Sequence, residues 1–478
     1  DFKKAMGDDA AQVTSDFVDF LNVGCTAFHA VAECARRLEA KGFELLDERS
    51  PKWVLKRGGR YYYTRNESSL VAFAVGAAYD PDTSGAIVIG AHTDSPCPKL
   101  KPRSSLEKGG NAMLGVVGYG GGLWHTWFDR DLTVAGRALV AEGDRVVSKL
   151  IRVQKPVCRV STLAIHLSQN DERTTFKPNL QNHLPPMLAS GVRDQLWRTP
   201  AGLNGIRKDA SRRHHPVLLR LALDALERED VNDVMELELQ LCDTQPATVG
   251  GAYDEFIYSG RLDNLCSCYV ATRALSELEL ADKKSVAFVA LFDHEEVGSL
   301  SATGAQGPLL RDALLRVPAA LNVSLDETPS SFDVAAAAFR ARSFLISADM
   351  AHAQHPNYAD RHDPEHAPKL GRGLVIKHNA NQRYATNDLG ATFLRRCAER
   401  ANLAPPQEFA VKADCGCGST IGPISAANLG VRTLDVGAPQ LSMHSIREIM
   451  HVDDLHHTMS LFQAAFSFFD DFHQDLFP

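Results

Sequence analysis

The sequence has no apolar run approaching the ~20 residues that a membrane-crossing helix requires. It has no excess of basic charge either: 59 acidic against 51 basic residues leave a net charge of -8, which argues against a nucleic-acid surface. Ten cysteines in 478 residues are too sparse for a disulfide scaffold. Cys266-Ser267-Cys268 and Cys415-Gly416-Cys417 lack the spacing of a C-x-x-C zinc pair. Reduced, mostly buried thiols in a cytoplasmic protein are expected. No G-x-S-x-G occurs, so a nucleophile-elbow hydrolase is disfavoured. Internal repeats and low-complexity tracts are absent. The first residues, Asp1 to Phe17, lack the apolar core of a secretory signal and also an initiating Met, which leaves room for an upstream segment.

What is present is an ordinary globular composition in a chain too long for one simple core. Thr26 is placed to cap a helix through Ala40, and short strands are expected at Lys52–Arg57, Arg60–Thr64 and Ser69–Val75. Gly85–Gly90 reads as a strand buried on both faces. From Pro98 the pattern turns to alternating, Val-rich segments (Leu132–Val140, Arg145–Val153, Val157–Ile165) separated by turn residues, as in antiparallel hairpins. A polar, basic stretch from Gly191 to His215 reads as a solvated loop. Strand–helix alternation resumes near Gly251. The expected organisation is one α/β domain, 1–97 plus 246–478, interrupted by a mainly β insertion at 98–245.

The run Ser285–Phe292 is almost wholly apolar and then delivers Asp293, His294, Glu295 and Glu296 in succession. Carboxyl ends of strands are where open α/β sheets bind ligands, and charges there are costly unless something needs them. Four more polar segments stand at similar places: His92-Thr93-Asp94, Arg261-Leu262-Asp263-Asn264, Ala348-Asp349-Met350 and Ser442-Met443-His444. Together they offer two imidazoles and several carboxylates at one sheet edge. That mix suits borderline divalent metals and exceeds the needs of one tetrahedral zinc; divided between two metals, with one carboxylate shared, it balances.

With these segments in view the chain resembles the aspartyl aminopeptidase family, dinuclear zinc exopeptidases. The likeness runs through most of the chain, in His92–Cys97, Gly120–Leu132, Leu163–Leu167, Ser259–Leu265, Phe292–Ser299, Asp349–Ala353, Asn381–Tyr384 and Ser442–Glu448. It implies a catalytic domain of mixed sheet flanked by helices, with an inserted β-rich oligomerisation domain. It also implies His92, Asp263 and Asp349 on one zinc and Asp263, Glu296 and His444 on the other, with manganese or cobalt as substitutes. Glu295 would be the general base, and Asp94 would orient the His92 imidazole. His166 matches a position that reaches a neighbouring subunit's site, while His352, Lys377 and Tyr384 match the lining of the substrate pocket. The implied activity is removal of N-terminal Asp or Glu from peptides by a homododecamer.

Other readings are weaker. Gly416–Gly422 followed by Asp435 looks like a dinucleotide-binding turn but is one residue too long for G-x-G-x-x-G. A deacylase or carboxypeptidase shares the metal core. A silent assembly protein should have lost at least one of these ligands.

Overall fold

The computed structural model describes residues 8–169, 171, 174–191, 193, 213–322 and 329–476. Most of the basic stretch expected as a loop therefore lies outside the described residues. The chain divides into two compact units: Asp1–Asp94, Ala247–Met443 and Glu448–Pro478 form one, Ser95–Pro246 and His444–Arg447 the other.

The first unit is built on a nine-stranded mixed sheet. Its centre is four parallel strands in the order Val286–Phe292, Ala86–His92, Phe344–Ala348 and Arg432–Gly437. The first three are buried along their whole length, which is why they read as unbroken apolar runs rather than alternations. Ile87, Ile89, Val289 and Ile346 point to one layer with the helices Ala27–Glu39, Leu262–Ser276 and Val452–Leu476. Val88, Phe288, Ala290 and Leu345 point to the other, with Leu309–Leu321 and Ile421–Leu429. Helices on both faces exclude water from the sheet. Antiparallel strands Ser69–Val75 and Arg60–Arg65 extend one side, and Val375–His378 with Gln407–Ala410 extend the other. A smaller five-stranded sheet in the same unit contains Phe256–Ser259 paired with Glu448–His451.

Register matters more than strand count. Phe292 stands beside His92, and Ser347 beside Gly90, so three strands end level. The residues that follow them emerge at one edge.

The second unit holds a six-stranded sheet whose pairings are all antiparallel. Leu132–Glu142 and Arg145–Arg152 form the hairpin that the alternating pattern announces. Cys97–Lys108 and Asn111–Tyr119 are a second hairpin, hidden in the sequence because Pro98, Pro102 and a register shift after Leu100 interrupt the alternation.

Two expected strands are corrected. Lys52–Arg57 joins no sheet: Trp53 donates its indole N–H to the Asp47 carbonyl and lies 3.6 Å from the Arg316 guanidinium, so side chains rather than a ladder fix this segment. Val157–Ile165 makes only isolated bridges, because Val157 and Cys158 both donate to the Leu132 carbonyl and the ladder cannot continue. The expected cap is present, with Thr26 accepting from the His29 N–H.

One half-buried ion network ties the N-terminal helices to the helix Leu262–Ser276. Arg37 donates to Asp16 at 2.6 Å and to Glu33 at 2.7 Å, and its guanidinium lies over Phe20 and Tyr269. Burial would raise the Glu33 carboxyl, but hydrogen bonds from Arg36 and Arg37 outweigh it and hold the group below its ordinary value. A depressed carboxylate stabilises the fold fully above its unfolded pKa and loses that contribution as pH falls through the folded value. Arg37→Ala removes one of the two guanidinium partners of a Glu33 side chain that is 7% exposed and leaves the Arg36 pair in place, and should cost about 1–2 kcal/mol in urea unfolding at neutral pH. The deficit should shrink on acidification; a pH-independent deficit would contradict the ion-pair account.

Candidate metal centre

His92 closes its strand with an imidazole that is 1% exposed. Its Nδ1 is 3.0 Å from the carbonyl oxygen of Asp94, an acceptor only, so Nδ1 carries the hydrogen and donates. Nε2 is then a lone pair, yet it faces Asp263 Oδ1 at 3.2 Å, Asp349 Oδ1 at 3.4 Å and Glu295 Oε2 at 3.9 Å. His92 Nε2 and Asp349 Oδ1 are both buried without a hydrogen-bond partner. A lone pair aimed at carboxylate oxygens is repulsive unless a cation sits among them. Either a proton or a metal ion can serve. Burial disfavours the imidazolium, but Asp263, Asp349 and Asp94 overcome it and raise its pKa well above the usual value. A divalent ion meets the same demand with more charge, and the donor set of imidazole and carboxylate oxygens suits zinc. His92, Asp263 and Glu296 offer ligand atoms all within 4.8 Å of one another.

Each carboxylate reaches this place by a separate local device. Asp263 follows Arg261, whose positive φ of 63° turns the chain, and precedes the regular part of the helix Leu262–Ser276. Its N–H donates to Glu448 Oε2 at 3.2 Å, and Asn264 donates its side-chain N–H to the Ala348 carbonyl at 2.7 Å. Glu295 and Glu296 lie in a single 3-10 turn entered through His294 at φ 64°. Asp349 is backed by Gly437, where a Cβ would stand 1.8 Å from the Asp349 carbonyl oxygen. Only glycine permits that approach.

The Asp94 backbone carbonyl, rather than its carboxylate, takes the His92 Nδ1 hydrogen bond, and the carboxylate has other partners. Its two carboxylate oxygens accept the N–H groups of Glu295 and Glu296, both at 3.1 Å, while Oδ1 stays 3.5 Å from His92 Nδ1. One carboxylate thus sets the turn that carries both glutamates. The sequence gives no role to Glu448, nor to Cys268, whose thiol donates to the His92 carbonyl at 3.0 Å. Burial, then repulsion from Asp349, Asp263 and Asp94, pushes the Glu295 carboxyl up to about 8 against the opposing pull of His92.

Lys377, on the strand Val375–His378, is buried with its Nζ 3.7 Å from Asp349 Oδ2 and 5.4 Å from the Tyr384 ring centre. Tyr384 and the exposed His352 both pack their rings against Phe409. Two candidates belong to the second unit. His166 sits in a 3-10 turn between the exposed side chains of Ile165 and Leu167. His444, at φ 65°, has Nδ1 3.1 Å from the Gly121 carbonyl oxygen and accepts at its own carbonyl from the Leu123 N–H.

The dinucleotide reading fails on Asp435. That carboxylate is fully buried and already accepts from the Thr420 hydroxyl and the Ala385 N–H, with Gly422 packed against it. Replacing Asp94 by Asn leaves one acceptor oxygen for two N–H donors. Asp94→Asn should weaken divalent-ion affinity about 10–100-fold, read by competition with a chromogenic chelator; unchanged affinity would show that the glutamate turn holds without it.

Known proteins resemble this chain along nearly its full length. The family model described as aminopeptidase I zinc metalloprotease (M18) matches residues 20–468. A probable aspartyl aminopeptidase of Ricinus communis is 47% identical, covering 96% of this chain and 95% of the relative. The aspartyl aminopeptidase of Dictyostelium discoideum is 44% identical, covering 95% and 96%. Among solved structures, mApe1 of Chaetomium thermophilum superposes with a TM-score of 0.86 at 34% identity, covering 98% of this chain and 99% of its own. With the buried imidazole–carboxylate cluster, these likenesses show that the chain is a metalloaminopeptidase and belongs to the M18 zinc metalloprotease family, alongside the aspartyl aminopeptidases.

Proposed function

We propose that this aminopeptidase removes Asp or Glu from the N-termini of peptides, using two zinc ions per chain. His92, Asp263 and Asp349 would hold one ion; Asp263, Glu296 and His444 the other, with Asp263 shared. Bound zinc supplies Lewis-acid polarisation of a carbonyl and brings the pKa of water from 15.7 to ~7. Glu295, held by the Asp94-anchored turn, takes the proton of the attacking water and passes it to the leaving amine.

The observation that carries the substrate reading is the buried Lys377 ammonium beside Asp349, with Tyr384 and His352 nearby. An ammonium in so dry a place rewards an anionic side chain and penalises an apolar one. His166 is assigned to the site of a neighbouring subunit. Self-association as a dodecamer is supported by the mApe1 of S. cerevisiae, described as a dodecamer, which superposes at TM-score 0.80 and 28% identity. No described helix is long and apolar enough to cross a membrane; the cytoplasm is the proposed location.

Hydrolysis of chromogenic Asp, Glu and Leu amides, with and without a chelator, tests this directly. Chelator-sensitive cleavage of the Asp and Glu amides is expected, with Leu a poor substrate. Lys377→Ala should lower kcat/KM on the Glu amide by about 10–100-fold, as expected for loss of a charge-assisted bond, and barely alter Leu turnover. Glu295→Gln should lower kcat about 10²–10⁴-fold on every substrate. Cleavage of Leu alone would refute the acidic preference while keeping the metal chemistry.

A further inference from the structure

Eight of the ten cysteines are buried; Cys415 is exposed and Cys417 half-buried. The two accessible thiols stand two residues apart, in the loop that leads into the helix Ile421–Leu429. We propose that Cys415 and Cys417 form a thiol–disulfide site that reacts with low-molecular-weight disulfides and acts on the acidic side-chain pocket through Tyr384. The proposal rests on the assignment of that pocket to an acidic side chain.

Cys417 packs against the cluster of Ala351, Val375, Tyr384 and Phe409, and its thiol is in polar contact with the Tyr384 phenol. The two segments are stitched together: Arg383 donates from Nε to the Cys417 carbonyl, and Ser419 donates its hydroxyl to the Arg383 carbonyl, both at 3.2 Å. Tyr384 in turn faces the Lys377 ammonium. A movement of the Cys417 sulfur is therefore felt one side chain away from the cation assigned to read the substrate. On its other side the loop is open. A Cβ added at Gly416 or Gly418 would meet nothing within 4 Å, and Ala413 to Gly416 are all exposed, so a bulky reagent has room to approach Cys415.

Exposure sets the order of events. The Cys415 thiolate attacks one sulfur of the small disulfide, forming a mixed disulfide and expelling one small thiolate. The Cys417 thiolate then attacks the Cys415 sulfur, closing the Cys415–Cys417 bond and expelling the second. Two protein thiols are oxidised, one small disulfide is reduced, and the two thiol protons end on the two small thiols. Closing the bridge draws the Cys417 sulfur toward the exposed side of the loop. Tyr384 loses a packing neighbour and a polar contact, and the pocket wall loosens.

The test treats the full-length enzyme with glutathione disulfide, followed by peptide mass analysis and kinetics. A Cys415–Cys417 peptide lighter by two hydrogens is expected, with the eight buried cysteines unmodified. KM for the Glu amide should rise about fivefold or more with little change in kcat, and dithiothreitol should reverse it. Cys415→Ser should keep the untreated KM and lose the response. Absence of the bridged peptide, a bridge with unchanged KM, or a Cys415→Ser enzyme that still responds would each overturn the proposal. If the untreated enzyme cleaves no Glu amide, the substrate reading fails instead, and the peptide mass alone judges the bridge.

Discussion

His92 Nε2 lies within 3.9 Å of carboxylate oxygens from Asp263, Asp349 and Glu295, where water barely reaches. Carboxylates that converge on one atom repel one another, and in so dry a place that repulsion is weakly screened. A fold that gathers several of them needs a compensating cation, and the surrounding structure serves to make the gathering unavoidable. Level strand ends bring His92 and Asp349 to one edge. The Asp94 carboxylate fixes the glutamate turn, and Glu448 fixes the backbone of Asp263. Two helical layers seal the sheet that carries them. The instability of the empty cluster and its affinity for metal are thus one property.

The same logic extends to the substrate side. Lys377 shares Asp349 with His92, so one carboxylate connects the centre to the cation assigned to recognition. If Asp349 holds a metal ion as proposed, the Lys377 ammonium would be less compensated and more attractive to an incoming anion. Metal occupancy and acidic preference would then be coupled through one carboxylate.

Much of the edge could be read directly. Val286–Phe292 and Ala86–His92 are apolar because both faces of the sheet are covered, and the residues after such a run stand at a strand end by construction. The contributions that escaped are those made across long sequence distances. Glu448 meets Asp263 only because its strand pairs with Phe256–Ser259, a register that no local pattern encodes. The double use of Asp94 depends on how the 295–297 turn folds back. The grouping of His444–Arg447 with the second unit, through bonds to Gly121, Leu123 and Thr126, has no periodic signal at all. In the second unit Pro98 and Pro102 masked a hairpin, while at Val157 two donors on one carbonyl ended a strand that the alternation favoured.

Zinc content per chain, measured on the purified enzyme and on Asp263→Ala, tests whether a shared carboxylate gathers two ions. Two zinc ions per wild-type chain are expected, and neither should be retained by Asp263→Ala, with the variant still folded by circular dichroism. A single zinc in the wild type, or a full complement in Asp263→Ala, would contradict the shared-carboxylate centre.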